Sequence, residues 1–181
     1  MTATTEPETT ESACPYIIGE DGLARWSDTE ADAWIGLIET QKALTRALDA
    51  ELEARHGLRL SAAEVLGRLA AAPDARLGLS KLAGECALSL SRISRIVDVL
   101  EERGLVERRT SCTDARATDA HLTDAGFSYT LQTQATHVAF VQEHFFKQLG
   151  PEEIATLAEV FKRFAPRAAE ACTAGAEEDS L

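Results

Sequence analysis

Apolar residues recur at three- and four-residue steps along most of this chain and alternate only in one short stretch. Trp34, Leu37, Ile38, Leu44, Leu48 and Leu52 form the first such series, which predicts a long amphipathic helix. Asp28, Glu30 and Asp32 stand at its start, where the helix dipole favours negative charge. His56-Gly57 supplies its end, because glycine takes the left-handed cap conformation. Ser61-Ala-Ala-Glu64 has the spacing of a capping box and opens a second predicted helix, which stops before Pro73. A third, short helix is expected from Ser80, and a fourth from Ser89 through Ile93, Ile96, Val97 and Leu100 to Arg103, with Gly104 as its stop. The segments LVERRT (105–110) and ARATDAHLT (115–123) then flank a polar bend, which predicts a two-stranded hairpin. Thr123 caps a fifth helix with Phe127, Leu131, Val138, Val141, Phe145 and Leu149 on its apolar side. Pro151, well tolerated at a first helical position, restarts the chain as a sixth helix carrying Ile154, Leu157, Val160, Phe161 and Phe164.

Helices at both ends and a helix–helix–helix–hairpin between them predict a mainly α fold. Its centre is a winged helix-turn-helix (61–122), with long helices at 28–56 and 123–170. The terminal helices are too long and too apolar along one face for so small a central module to cover, and a symmetric homodimer is the most economical cover. Residues 1–27 are rich in Thr, Glu, Ser and Gly and predict a loose acidic arm. The apolar CPYIIG at 14–19 is a candidate for docking within that arm, and residues 171–181 predict an unstructured acidic tail.

Charge refines this picture. The 181 residues carry a net charge of -12, which taken alone argues against a nucleic-acid partner. Residues 1–33 hold 8 acids and one base, and residues 170–181 hold 4 acids and no base. Removing these from the chain's 30 acids and 18 bases leaves 18 and 17 for residues 34–169. The body is nearly neutral, so a locally basic surface is permitted. No apolar run approaches the roughly 20 residues of a membrane span, and no basic-then-apolar leader pattern is present. A cytoplasmic location is therefore expected, with Cys14, Cys86, Cys112 and Cys172 reduced. They show no C-x-x-C spacing, which excludes a zinc knuckle.

The chemistry gathers in the fourth helix and the hairpin. Ser89, Ser91, Arg92, Ser94 and Arg95 crowd the first turns of a helix whose other face is apolar. Such a helix fits the DNA major groove with its N-terminal residues reaching base edges, and arginine can bond two acceptors of guanine at once. Ser80, at the head of the preceding helix, joins this DNA-binding set. Arg108 and Arg109 occupy adjacent strand positions and face opposite ways. One is expected to meet phosphate and the other to stay near the body, in an order that alternation alone leaves open.

At residues 60–126 the chain resembles the MarR (multiple antibiotic resistance regulator) family of bacterial transcription factors. The marks are V-D-x-L-E-x-R-G-L-V-x-R at 97–108, D-x-R at 114–116 and L-T-x-x-G at 122–126. The resemblance implies double-stranded DNA as partner, a homodimer, and a repressor released by a small phenolic or anionic ligand. It also implies that Arg116 is the wing-tip residue entering the minor groove, with Asp114 bracing it. The bend departs from the family pattern, with Thr110-Ser111-Cys112-Thr113 in place of an acidic, proline-containing turn and Ala115 in place of a second arginine. By the same resemblance the ligand lies between the long helices and the DNA-binding lobe, where Trp34, His56 and Arg59 are candidate lining residues.

Other chemistries are less well supported. His137 and His144 are seven residues apart, too far for an i, i+4 metal pair, so no metal or other cofactor is expected. A redox-responsive regulator would use Cys14 or Cys112, since Cys86 sits in an apolar helix. A protein-interaction module that binds no DNA is the remaining alternative. No phosphate loop, nucleophile elbow or ligand cluster points to an enzyme.

Overall fold

The computed structural model describes residues 17–111 and 117–174, with side chains in the last helix described as far as Phe164. The chain divides into two compact units, residues 1–44 and 45–181. Cys14, Cys112, Asp114 and Arg116 lie outside the described residues.

In the first unit, residues expected as part of a loose arm instead form a small antiparallel hairpin of β1 (Ile17–Ile18) and β2 (Ala24–Arg25). Asp21 holds its turn, accepting from the Leu23 N–H at 3.1 Å and from the Arg25 guanidinium at 2.8 Å. Helix α1 (Asp28–His56) then starts on a capping box of Ser27 and Glu30: the Ser27 N–H donates to the Glu30 carboxylate at 2.9 Å. The Ser27 hydroxyl accepts in return from the Glu30 N–H at 3.3 Å. Within this unit Trp34, Ile35 and Leu37 are exposed.

The second unit holds the core. It comprises the end of α1, α2 (Leu60–Ala71), β3 (Arg76–Gly78), α3 (Leu79–Glu85), α4 (Leu90–Glu102), β4 (Val106–Thr110), β5 (Thr118–Leu122), α5 (Asp124–His144) and α6 (Pro151–Ala174). The helix-turn-helix and wing order of the sequence is thus present. Strands β4 and β5 form the expected hairpin, and β3 adds a third antiparallel strand on the other side of β5. Val65, Leu66, Leu69, Leu82, Ile93, Val97, Leu100 and Ala120 pack at the centre with no exposed surface. At about 1.5–3 kcal/mol for each large apolar side chain, this cluster is what seats α4.

Several local expectations are corrected. Ser61 does not cap α2, which begins one residue earlier with no side-chain cap of its own. The Leu60 N–H donates instead to the Asp49 carboxylate of α1 at 2.8 Å, which holds that carboxyl below its usual range. A carboxylate from a neighbouring helix thus satisfies one of the four orphan donors. Helix α5 stops at His144, short of the expected Leu149, and a 3-10 turn over Phe146–Gln148 leads to α6. Helix α6 continues to Ala174, past the expected start of the tail.

Helix α5 also presents an unexpected inner face. Its buried residues are Gly126, Thr130 and Thr133, whereas Phe127, Leu131 and Val138 of the apolar series are about half exposed. The two threonine hydroxyls donate to the carbonyls of Gly126 and Thr130, at 2.8 and 3.0 Å, so their burial leaves no polar atom unpaired. Small residues bring α5 close to the lobe, and the large apolar ones are left over. At the head of this helix Thr123 accepts from the Gly126 N–H at 2.9 Å, its hydroxyl donates to the Gly104 carbonyl at 2.8 Å and its N–H to the Leu105 carbonyl at 3.1 Å. A Cβ on Gly126 would lie 2.0 Å from that carbonyl oxygen. The glycine is therefore required by close approach of backbone to backbone.

Candidate nucleic-acid interface

Helices α3 and α4 are joined by a tight turn in which Ala87 takes a left-handed φ of 50°. The Leu88 N–H closes α3 by donating to the Ala83 carbonyl at 3.0 Å. Ser89 then caps α4, accepting from the Arg92 N–H at 3.3 Å and lying 3.2 Å from the Ser91 hydroxyl. With Ile93, Val97 and Leu100 turned into the core, Ser89, Ser91, Arg92 and Arg95 are left exposed, as is Ser80 at the head of α3. Among the described residues Arg92 and Arg95 form no ion pair, so both guanidinium groups are available to an anionic partner.

The arginine pair of the wing is sorted by the strand pleat. Val106 is buried, so Arg108, two residues on, also turns inward, while Glu107 and Arg109 point out. Arg108 clasps α4: its guanidinium reaches Asp98 at 2.6 Å, Glu101 at 2.8 Å and the Ser94 carbonyl at 2.9 Å. Its N–H also donates to Glu101 at 2.9 Å. Arg109 is exposed and pairs with Glu107 at 2.8 Å. The clasp accounts for Ser94 being half-buried although it lies on the polar side of α4. One guanidinium thus serves two carboxylates, and the trio keeps a net charge of -1.

The Glu101 carboxyl is held below its ordinary range, first by the Arg108 N–H and then by the guanidinium. A depressed carboxylate pKa contributes stability that is complete above the unfolded value, about 4.3, and fades as pH falls through the folded value. The unfolding midpoint of the chain should therefore exceed that of Glu101→Gln at pH 7, and the gap should close on acidification below pH about 4. A gap independent of pH would show that the clasp is not ionic.

Between α3, α4 and the base of the wing lies an open cleft of about 700 Å³, lined among others by Arg76, Ser80, Lys81, Leu90, Ser94 and Thr118. Periodicity singled out neither cation: Arg76 lies in β3 and Lys81 in α3, three and seven residues long, too short to show a pattern. His121 stands on the outward face of β5, opposite Arg76 and Glu107. Its burial, together with Arg109 and Arg76, lowers its pKa.

The candidate ligand residues fall in separate places. Trp34 belongs to the first unit and is 52% exposed. In the second unit His56 lies at a junction of helices, its ring Nε2 2.8 Å from the Thr136 hydroxyl. Its carbonyl accepts from Tyr129 and from Arg103, and the Arg103 guanidinium also bonds the Gly57 carbonyl and lies 5.1 Å over the Tyr129 ring. Arg59 is paired with Asp49 and Glu53, each at 2.8 Å. Neither His56 nor Arg59 lines the groove of about 820 Å³ between the end of α1, α2 and α5. Its walls include Leu48, Arg68, Phe127, Leu131, Gln134 and His137. Cys86 is buried in the core, and burial raises its thiol pKa, opposite to what a reactive thiolate requires.

Residues 56–117 match the family model described as MarR family. The whole fold is similar to AbsC, a MarR family transcriptional regulator from Streptomyces coelicolor, at 32% identity and a TM-score of 0.72, over 80% of this chain and 97% of that one. It is also similar to Sco3205, a MarR family transcriptional regulator of the same organism, solved in complex with DNA. There the identity is 32% and the TM-score 0.71, over 78% of this chain and 89% of that one. A mutant MarR from E. coli, complexed with operator DNA, is 26% identical with a TM-score of 0.63, covering 76% of this chain and 98% of that one. No curated protein sequence matches the chain.

Proposed function

The chain belongs to the MarR family of DNA-binding transcriptional regulators, and from that premise we propose that it acts as a homodimeric repressor of a pseudo-palindromic operator, released by a small phenolic or anionic ligand. The observation that carries the DNA-reading part is α4, whose first turns expose Ser89, Ser91, Arg92 and Arg95 while its other face is locked into the core. Arg109, Arg76 and Lys81 stand beside it, paired with Glu107, Asp74 and Glu85, and a phosphate would compete with those carboxylates for them.

The dimer rests on apolar surface left over within each unit. Phe127, Leu131 and Val138 of α5 and Phe161 and Phe164 of α6 are exposed in the second unit, as are Trp34, Ile35 and Leu37 in the first. That is more than scattered single residues, and a second copy is the economical cover. Two recognition helices about 34–36 Å apart would then meet successive major grooves. The ligand reading is supported by the groove against α5, whose apolar walls carry polar groups that include Gln134, His137 and Arg68, the last paired with Glu64 at 3.7 Å. Its volume falls in the range of small-molecule sites.

The test is titration of the full chain against duplex taken from upstream of its own gene, at several salt concentrations, with sedimentation velocity for the oligomeric state. A shallow salt slope and no preference over random duplex would sink the operator claim, and a monomer at micromolar concentration would sink the dimer. Arg116, which lies outside the described residues, keeps the minor-groove role that the family pattern implies. Arg116→Ala is expected to weaken operator binding about ten-fold or more with an unchanged unfolding midpoint. Equal affinity would remove the wing tip from the interface.

A further inference from the structure

Leu90 is the first residue of α4, and 51% of its surface is exposed. A lone exposed leucine is ordinary on a protein surface, so exposure alone assigns it nothing. Its place does. It stands in the helical turn that carries Ser89, Ser91 and Arg92, and it lines the cleft beside Ser80, Lys81, Ser94 and Thr118. Folding makes no use of it there: the core is served by Ile93, Val97 and Leu100, and Leu90 is not among the residues packed against the core cluster.

We propose that Leu90 is a specificity-determining residue, reading the C5-methyl group of a thymine in the operator half-site. This rests on the reading of α4 as the recognition helix. The edges of the bases present hydrogen-bonding groups to the major groove, and the thymine methyl is its apolar feature. A leucine can bond no phosphate, and set against guanine, adenine or cytosine it strips water from a donor or acceptor without replacing the bond. Against the methyl edge of thymine, away from O4, it meets no donor or acceptor and buries one methyl, which corresponds to about four-fold in affinity per contact. The neighbouring serines and arginines supply attraction and hydrogen bonds. Leu90 supplies discrimination by exclusion.

The experiment uses the full chain and duplexes enriched by it from a random-sequence library. Each thymine of one half-site is replaced in turn by deoxyuridine, which removes only the methyl group. At one position the replacement is expected to weaken binding about four-fold, and Leu90→Ala is expected to lose that sensitivity while Leu90→Met retains it. Alanine suits a helix and the site is exposed, so the unfolding midpoint of Leu90→Ala should match that of the parent. Deoxyuridine without effect at every thymine, an equal effect in the parent and in Leu90→Ala, or enriched duplexes with no fixed thymine would each overturn the proposal. If no sequence is enriched at all, the operator reading falls and the proposal falls with it.

Discussion

Gly126→Ala should lower the thermal unfolding midpoint by roughly 10 °C, although alanine is the better helix former. In an open helix the exchange would be stabilising, because glycine carries the larger entropy loss on folding. Here the new methyl would stand 2.0 Å from the Leu105 carbonyl oxygen and 2.8 Å from the Leu122 side chain. The carbonyl cannot simply move aside, since the Thr123 N–H donates to it at 3.1 Å and the Thr123 hydroxyl holds the adjacent Gly104 carbonyl at 2.8 Å. Relieving the clash means opening the cap of α5 or shifting the strand that follows α4. Overpacking of this kind costs about 3 kcal/mol, and each kcal/mol moves the midpoint of a chain this size by about 2–4 °C. A midpoint equal to or above the parent's would show that the close approach is not real.

Leu100→Ala is expected to cost about 3 kcal/mol in a denaturant titration, from lost burial and the cavity left behind. Leu100 has no exposed surface and belongs to the cluster beneath α4. It also lies on the face away from Arg95, which separates two kinds of defect. Per folded molecule, Leu100→Ala should bind operator nearly as the parent does. Arg95→Ala should leave stability within about 0.5 kcal/mol and lose about ten-fold or more in affinity. If Leu100→Ala were as stable as the parent, α4 would not be seated by this cluster.

Which features could be anticipated follows from the range over which their causes act. The six helices and the hairpin show in local periodicity and cap residues, and they are where Leu52, Ile93 and Thr123 placed them. The start of α2 was not legible, because its cap is Asp49, eleven residues back on a different helix. Strand β3 was not legible either, being three residues long, with its hydrogen-bond partner β5 more than forty residues away in the chain. The inner face of α5 was misjudged since Gly126, Thr130 and Thr133 carry no hydrophobic signal, yet small size is what lets two helices approach. The order of Arg108 and Arg109 was readable after all: Val106 is apolar, and two residues on the pleat returns to the same side. Lys81, Arg76 and Leu90 needed the cleft itself, which exists only once three elements meet.

The clasp of Arg108 on α4 has a consequence for how the protein would measure DNA. It ties the root of the hairpin to the body of α4, three and six residues past Arg95, at Asp98 and at Glu101. Helix and hairpin are therefore joined like the jaws of a calliper at its hinge: Asp98 and Glu101 fix the strand that leaves α4 to the helix that precedes it.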